Sequence, residues 1–450
     1  MFFKNYIPFY KRNLDLAIPV MITQAGQMVV QFADNIMVGH LGTVEFAGVA
    51  FANSIFTIGM VFCIGFTQGL TPYAGQSYGK GLHREVAGYF QNSFIMDVFL
   101  CFLVVSVMLA IIPFMEHMGQ DPEILEYAKS YYRILVLSLI PFILFFAIRN
   151  FSEGIGITKY AMYITIGSNL VNIFFNWVLI FGNWGFPFMG VNGAAIATLI
   201  SRILMFISFA VLLYTINPYK KYMKLMRKPL VDLTKIKQLL KTSGPISLQG
   251  LVEVTAFSVS GIMVGWFGKE AMAANQIALT ITTFSFMIAQ GIGVAATIRV
   301  SHQFGEKKYP DARKAGIAAV HLSVGFMGTA GIVYIFLRHY IPYLFTSDPA
   351  VAAIAGSLLI ISAGFQVFDA IQLAGIASLR ALADVKVPLI FSFISYYCMC
   401  LPLGYFCGHV LNLGPMGVWT GLMIGLIIAS ILFMYRFNKL TDKYISGVKK

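Results

Sequence analysis

Twelve apolar runs, each long enough to cross a bilayer, leave few folds open to this sequence. They fall near 14–39, 46–72, 88–113, 132–152, 160–182, 191–214, 243–265, 271–298, 316–337, 351–377, 387–410 and 416–435. A hydrocarbon core about 30 Å thick takes roughly 20 apolar residues as a helix, and lipid supplies no partner for an exposed backbone N–H or C=O. Runs of this length are therefore predicted to be transmembrane helices. The charged fraction agrees: it is 11% here, against about 25% in an ordinary soluble domain.

A net charge of +13 would suit a nucleic-acid binder until its placement is read. Of the 32 Lys and Arg residues, only Lys129, Arg133, Lys269 and Arg338 fall in or beside connections on one side of the membrane, and Arg202 lies deep within a run. All the others fall in or beside the N-terminal segment, the even-numbered connections and the C-terminal segment, with Arg149 in the last turn of its run. The positive-inside rule then predicts a multi-pass protein of the cell (inner) membrane with both termini in the cytoplasm. The charge is a topology signal, and no nucleic-acid partner is expected. The opening MFFKNYIPFYKRNLDLAIPV runs into the first span without a small-residue cleavage site, so no cleavable signal peptide is expected. Cys63, Cys101, Cys398, Cys400 and Cys407 lie in apolar runs; Cys398 and Cys400 are two apart, on different sides of a helix, with no His close by at zinc spacing. They are read as packing residues, and no cofactor is expected. No His-Glu-x-x-His or Gly-x-Ser-x-Gly pattern points to an enzyme.

The longest basic segment, 217–241, separates an N-terminal lobe (1–216) from a C-terminal lobe (242–450), six runs each. A constant offset of 226 in the numbering pairs Pro19 with Pro245, Met37-Val38-Gly39 with Met263-Val264-Gly265, and Gly42 with Gly268. The same offset pairs Ala47 with Ala273, Gly65 with Gly291, Thr71 with Thr297 and Gly79 with Gly305. An even number of spans per half makes these parallel repeats, related by an axis along the membrane normal. The expected fold is an all-α membrane protein, its twelve transmembrane helices forming two pseudo-symmetric six-helix bundles around a central cleft. Such a cleft can open to either side in turn, which is a transporter architecture.

Five ionisable residues stand out inside the runs: Asp34, Asp97, Arg202, Glu253 and Asp369. A charge in hydrocarbon costs several kcal/mol, so such groups face a wet interior, a partner or a bound cation. Asp34 could also reach water from the outer end of its run. Pro19 is predicted to kink that run, because its ring removes a backbone donor. The offset sets Glu253 opposite Gln27 and Asp34 opposite Ser260, so the halves place their carboxylates differently. Asn172 and Asn176, four apart, share one helical face. With Asp34 they offer hard oxygen ligands of the kind Na⁺ accepts. They serve equally as polar glue between helices. Asp97 and Arg202 are read as a pair or a water-facing polar spot. Some of the 40 Phe, 22 Tyr and 22 Met residues are expected to line the cleft, where aromatic faces attract organic cations.

Several motifs together resemble the multidrug and toxic compound extrusion (MATE) family in its NorM-like branch, over essentially the whole chain. They are Pro19 fifteen residues before Asp34, Asp-Asn-Ile-Met-Val-Gly (34–39), Thr-Pro-Tyr-Ala-Gly-Gln (71–76), Asn172 with Asn176, Leu-Val-Glu253-Val-Thr, and Phe-Asp369-Ala-Ile-Gln followed by Ser-Leu-Arg380. The resemblance implies alternating-access antiport, in which cationic, lipophilic drug-like compounds leave the cell as Na⁺ or H⁺ enters. It implies an N-lobe cation site of Asp34, Asn150, Asn172, Asn176 and Thr198, with Asp34, Asn172 and Asn176 as Na⁺ ligands. It also implies a C-lobe acidic site for substrate and cation, Glu253 with Asp369, and a hinge at Pro19. Neutral amide ligands favour Na⁺ over H⁺ as the coupling ion. Many members carry a tyrosine where this chain has Phe365, so the C-lobe pair is not by itself a complete metal-ion site. A monomer in contact with membrane lipid is expected. The alternative, a flippase for lipid-linked oligosaccharide in the same wider superfamily, would need cations in the cleft to hold a pyrophosphate, and Arg202 is the one deep cation.

Overall fold

The computed structural model describes residues 2–226 and 231–447; residues 227–230 of the expected linker, Met1 and residues 448–450 lie outside the described residues. Twelve helices are long and apolar enough to cross a membrane. The first six are Lys4–Gly39, Thr43–Gly79, His83–His117, Pro122–Gly154, Lys159–Phe181 and Gly190–Thr215. The second six are Leu233–Gly265, Lys269–Gly305, Tyr309–Leu337, Pro349–Ala381, Lys386–Val410 and Gly414–Ile445. They are numbered here as spans 1 to 12. Each coincides with one predicted run, and no strand occurs among the described residues. Most outrun the apolar window. Hydropathy marks only the stretch that sits in hydrocarbon, whereas helical hydrogen bonding continues into the charged ends. Span 12, for example, carries on past Arg436, Lys439 and Lys443.

The chain forms two compact units, one of Ile22–Ser247 and the other of Met1–Met21 with Leu248–Lys450. Spans 1 and 7 thus each change unit part-way along, between Met21 and Ile22 and between Ser247 and Leu248, two points related by the offset of the repeat. Pro19 and Pro245 stand just before these points, and both helices continue through their proline.

Close packing on glycine holds each crossover. A Cβ on Gly291 would lie 2.6 Å from the Met21 backbone nitrogen and 3.0 Å from the Ala17 carbonyl oxygen. A Cβ on Gly65 would lie 2.9 Å from the Ser247 Cα. The repeat maps Gly65 onto Gly291 and Ser247 onto Met21, so the same small-residue approach is used twice. Polar contacts reinforce it. Asn13 Nδ2 donates to the Ala315 carbonyl at 3.1 Å, fastening the start of span 1 to its unit. Tyr89 donates to Gln238 Oε1 at 2.7 Å, and the Tyr73 hydroxyl meets Thr242 Oγ1 at 2.9 Å, doing the same for span 7.

The connection between the halves is partly structured. A short helix, Tyr219–Leu225, buries Tyr219 and Tyr222. The Tyr222 hydroxyl lies 3.0 Å from His83 Nδ1. Asp232 then caps span 7, its Oδ1 accepting from the Thr234 and Lys235 N–H groups at 3.0 and 3.2 Å. The hydrogen bond from the Lys235 side chain, seconded by that backbone, holds the Asp232 carboxyl below its ordinary pKa. Span 11 is irregular: Ile394–Cys400 and Phe406–Val410 are π-helical on either side of the turn containing Pro402. A proline lacks the N–H for the normal ladder and crowds the preceding turn, so the hydrogen bonding widens around it.

The glycine approach makes a testable claim. Gly291→Ala forces a methyl group against backbone and is expected to cost about 1–3 kcal/mol, read as a lower midpoint in thermal unfolding in detergent. Gly325→Ala, where nothing lies within 4 Å of the added Cβ, is expected to leave the midpoint unchanged. Equal midpoints for both variants would refute the close approach.

Candidate functional site

In the unit Ile22–Ser247, spans 1 and 5 bring Asp34 to Asn172 and Asn176. Asn176 Nδ2 donates to Asp34 Oδ1, and also to Asn172 Oδ1 at 3.1 Å. The two asparagines are one helical turn apart, so one amide reaches both the carboxylate and its neighbour. Both asparagines are buried and Asp34 is half-buried. The carboxylate therefore turns toward span 5 for its partner. Asn176 Oδ1 is buried and accepts no hydrogen bond. An acceptor oxygen is thus left over beside an anion, which fits a cation as the missing partner.

Of the other two residues implied for this site, Asn150 has its amide nitrogen bonded outside the group, and Thr198 is placed by its backbone. Asn150 Nδ2 donates to Thr67 Oγ1 of span 2 at 2.9 Å. The Asn150 carbonyl accepts from Thr71 Oγ1 at 3.4 Å. Thr198 is half-buried in span 6, and its carbonyl accepts from Ser201 Oγ at 2.9 Å. Asp97 and Arg202 find different partners. Asp97 is 0% exposed; its Oδ2 accepts from Ser93 Oγ at 3.2 Å and its Oδ1 accepts nothing. Arg202 Nη1 donates to Ser138 Oγ at 2.7 Å, and its guanidinium stacks 4.3 Å from the Phe142 ring centroid and 5.3 Å from that of Phe56.

The other unit builds a second acidic group from spans 7, 10 and 11. Gln372 Nε2 donates to the Tyr396 hydroxyl at 2.7 Å and reaches Glu253 Oε1 at 3.4 Å. Asp369, buried one turn before Gln372, feels the charge of Glu253. Arg380 Nη2 donates to Gln249 Oε1 at 3.1 Å, and Gln249 Nε2 donates to Ser392 Oγ at 3.0 Å. Gln249 stands one turn before Glu253, so the Arg380 charge acts on that carboxylate too.

Phe365 is buried between the rings of Phe257 and Trp419. A hydroxyl enters this group from span 11, that of Tyr396. Sequence reasoning missed Tyr396 because it sits in the π-helical stretch, where helical spacing no longer tells which face a residue takes. Gln372 had a signal, three residues after Asp369 on the same face. Among the described residues no cluster of three or more His, Cys, Asp and Glu side chains comes together, so the candidate groups are oxygen-rich sites of carboxylates, amides and hydroxyls.

Twelve membrane-spanning helices in a twofold repeat, with carboxylates inside the spans of each half, define a membrane transporter. The MatE family model matches residues 19–178 and again 245–406, segments whose starting points obey the offset of the repeat, and the chain belongs to this family of transporters, which are not enzymes. Over 433 residues it is 32% identical to a probable multidrug resistance protein NorM of Rhodopseudomonas palustris, covering 95% of this chain and 91% of that one. It is 30% identical to the multidrug resistance protein NorM of Photobacterium profundum, covering 96% of each. Among solved structures, an outward-facing multidrug resistance MATE family transporter of the MOP superfamily superposes with a TM-score of 0.90 at 22% identity, over 97% of both chains. The eukaryotic MATE transporter AtDTX14 gives 0.86 at 18% identity, over 99% of this chain and 100% of that one. At these identities the likeness is one of fold.

The Tyr396–Gln372 bond is open to a double-mutant cycle. Tyr396→Phe and Gln372→Leu, measured singly and together by unfolding in detergent, are expected to couple by about 1 kcal/mol. Strict additivity would show that the bond is not made.

Proposed function

We propose that this chain is a multidrug efflux antiporter of the cell (inner) membrane. It exports cationic, lipophilic drug-like compounds in exchange for Na⁺, with H⁺ as the second candidate, acting as a monomer with both termini in the cytoplasm. The observation that carries this reading is the Asp34 carboxylate held by Asn176 with a buried amide oxygen unused beside it. Family membership and the names of its relatives support the drug class. The N-lobe ion site consists of Asp34, Asn172 and Asn176, with Asn150 and Thr198 in supporting positions. Glu253 and Asp369 form the acidic site for the organic cation.

In the cycle, a cationic drug enters from the cytoplasm, attracted by the three carboxylates. The two repeats then open outward. Na⁺ arriving from outside neutralises Asp34, span 1 bends at Pro19, and the drug leaves. Coupling requires that ion and drug favour opposite conformations; a ligand with equal affinity for both would drive nothing. Each entering charge adds about 2.3 kcal/mol per 100 mV of membrane potential.

Asp34→Asn keeps the shape and removes the charge. In proteoliposomes it is expected to abolish efflux of ethidium while the purified protein stays monodisperse. Wild-type efflux in that variant would end the proposal, as would transport of a lipid-linked oligosaccharide in place of the cation. For the ion, a Na⁺ gradient imposed without a pH gradient is expected to drive efflux; efflux driven by a pH gradient alone would assign H⁺ instead.

A further inference from the structure

Arg202 is a basic side chain well inside span 6 that the proposed cycle does not use. Its placement is built. The Ser138 hydroxyl takes Nη1 at 2.7 Å, and the rings of Phe142 and Phe56 stack at 4.3 and 5.3 Å. These contacts come from spans 2 and 4. A guanidinium stays charged at any relevant pH, and its planar face suits such a stack. It is thereby held inside the unit and does not snorkel along span 6 to water.

A charge fixed in a low-dielectric interior acts on every other charge nearby. Nη1 goes to a serine and not to a carboxylate, so the field of Arg202 is not spent in a contact ion pair. Its electrostatic partners are Asp34 and Tyr131. Tyr131, buried on span 4, feels both charges. Asp34 therefore has two kinds of neighbour: the amide of Asn176 in direct contact, and a permanent cation acting at longer range.

We propose that Arg202 is a tethered counter-cation to Asp34, a positioning residue that offsets the carboxylate in the ion-free state and sets how much Na⁺ is needed to fill the site. The inference rests on the reading of Asp34 as the coupling-ion site. With Arg202 in place, an incoming Na⁺ gains the attraction of Asp34 and loses to the repulsion of Arg202. The affinity is held down, and the ion leaves again readily once the site faces the cytoplasm. Ser138, Phe142 and Phe56 serve this function by fixing the distance at which the charge acts.

The test uses the full-length protein in proteoliposomes, with ethidium efflux followed against Na⁺ concentration at constant pH. Arg202→Gln keeps length and a donor for Ser138; Arg202→Met keeps bulk between the two rings; Arg202→Lys keeps the charge. Loss of the charge in the Gln and Met variants is expected to lower half-saturating Na⁺ about tenfold and to slow the maximal rate, as ion release becomes harder. The Lys variant is expected to stay within about twofold of wild type. Should Arg202→Gln fail to reconstitute, Arg202→Met decides alone. Unchanged or raised half-saturation in the charge-free variants would overturn the proposal and leave Arg202 as structural glue, and so would a Lys variant that behaves like Gln. Wild-type efflux with no Na⁺ dependence would overturn both this proposal and the sodium reading; a Na⁺-dependent wild type with indifferent Arg202 variants would overturn this proposal alone.

Discussion

Within a bilayer a polar side chain has only the protein to bond to, and that constraint arranges every group of interest in this chain. The Asn176 amide is shared between Asp34 and Asn172. Gln372 is shared between Tyr396 and Glu253. Ser138 takes a guanidinium. In each case a neutral hydrogen-bonding group stands against a charge, which disperses it without cancelling it. A contact ion pair would satisfy the same groups more fully and would leave nothing for a ligand. Such pairs do occur in the chain, as between Arg149 and Glu153 at 2.7 Å and between Arg436 and Asp384 at 2.7 Å. They involve residues outside the candidate sites.

The repeat explains how so large a helical protein keeps its register. The points at which spans 1 and 7 pass from one unit to the other are equivalent under the repeat, and the glycines that receive them obey the same offset. Each unit thus contains the first turns of a helix whose remainder belongs to the other. Pro19 and Pro245 stand within three residues of the transfer points, where a missing backbone hydrogen bond makes bending least costly. Packing on glycine and freedom to bend therefore fall at the same level of both helices, one fixing the entering turns and the other leaving the remainder able to change direction.

How much of this was legible in the sequence follows from what each feature depends on. The spans depend on hydrophobic length and the Asn172–Asn176 pair on one-turn spacing, both local properties of the chain; the repeat shows as a fixed offset, and Asp34, 142 residues from Asn176, was joined to the pair by its oxygen chemistry and the family resemblance. The transfer of Met1–Met21 into the second unit depends on tertiary packing at Gly291, and the equivalence of Gly65 and Gly291 hinted at it without stating it. Tyr396 escaped because a π-helical stretch before Pro402 shifts the face it takes. Asn150 makes a contact of another kind: its amide nitrogen is bonded to Thr67, a partner eighty-three residues away in sequence that no spacing rule reaches.

The two acidic groups differ in a way the repeat does not impose. One unit sets a single carboxylate, Asp34, against amides, with Arg202 acting from a distance. The other sets two, Glu253 and Asp369, against Gln372 and Tyr396, with Arg380 acting on Glu253. Counting these groups as ionised, the first is neutral and the second carries one negative charge. A compact inorganic ion must shed its water, which requires close oxygen ligands such as the Asp34 carboxylate and the unused Asn176 oxygen. An organic cation keeps its charge spread over a larger body and responds to net field and aromatic surface more than to ligand geometry. The asymmetry therefore matches the assignment of the small ion to the first unit and the large one to the second.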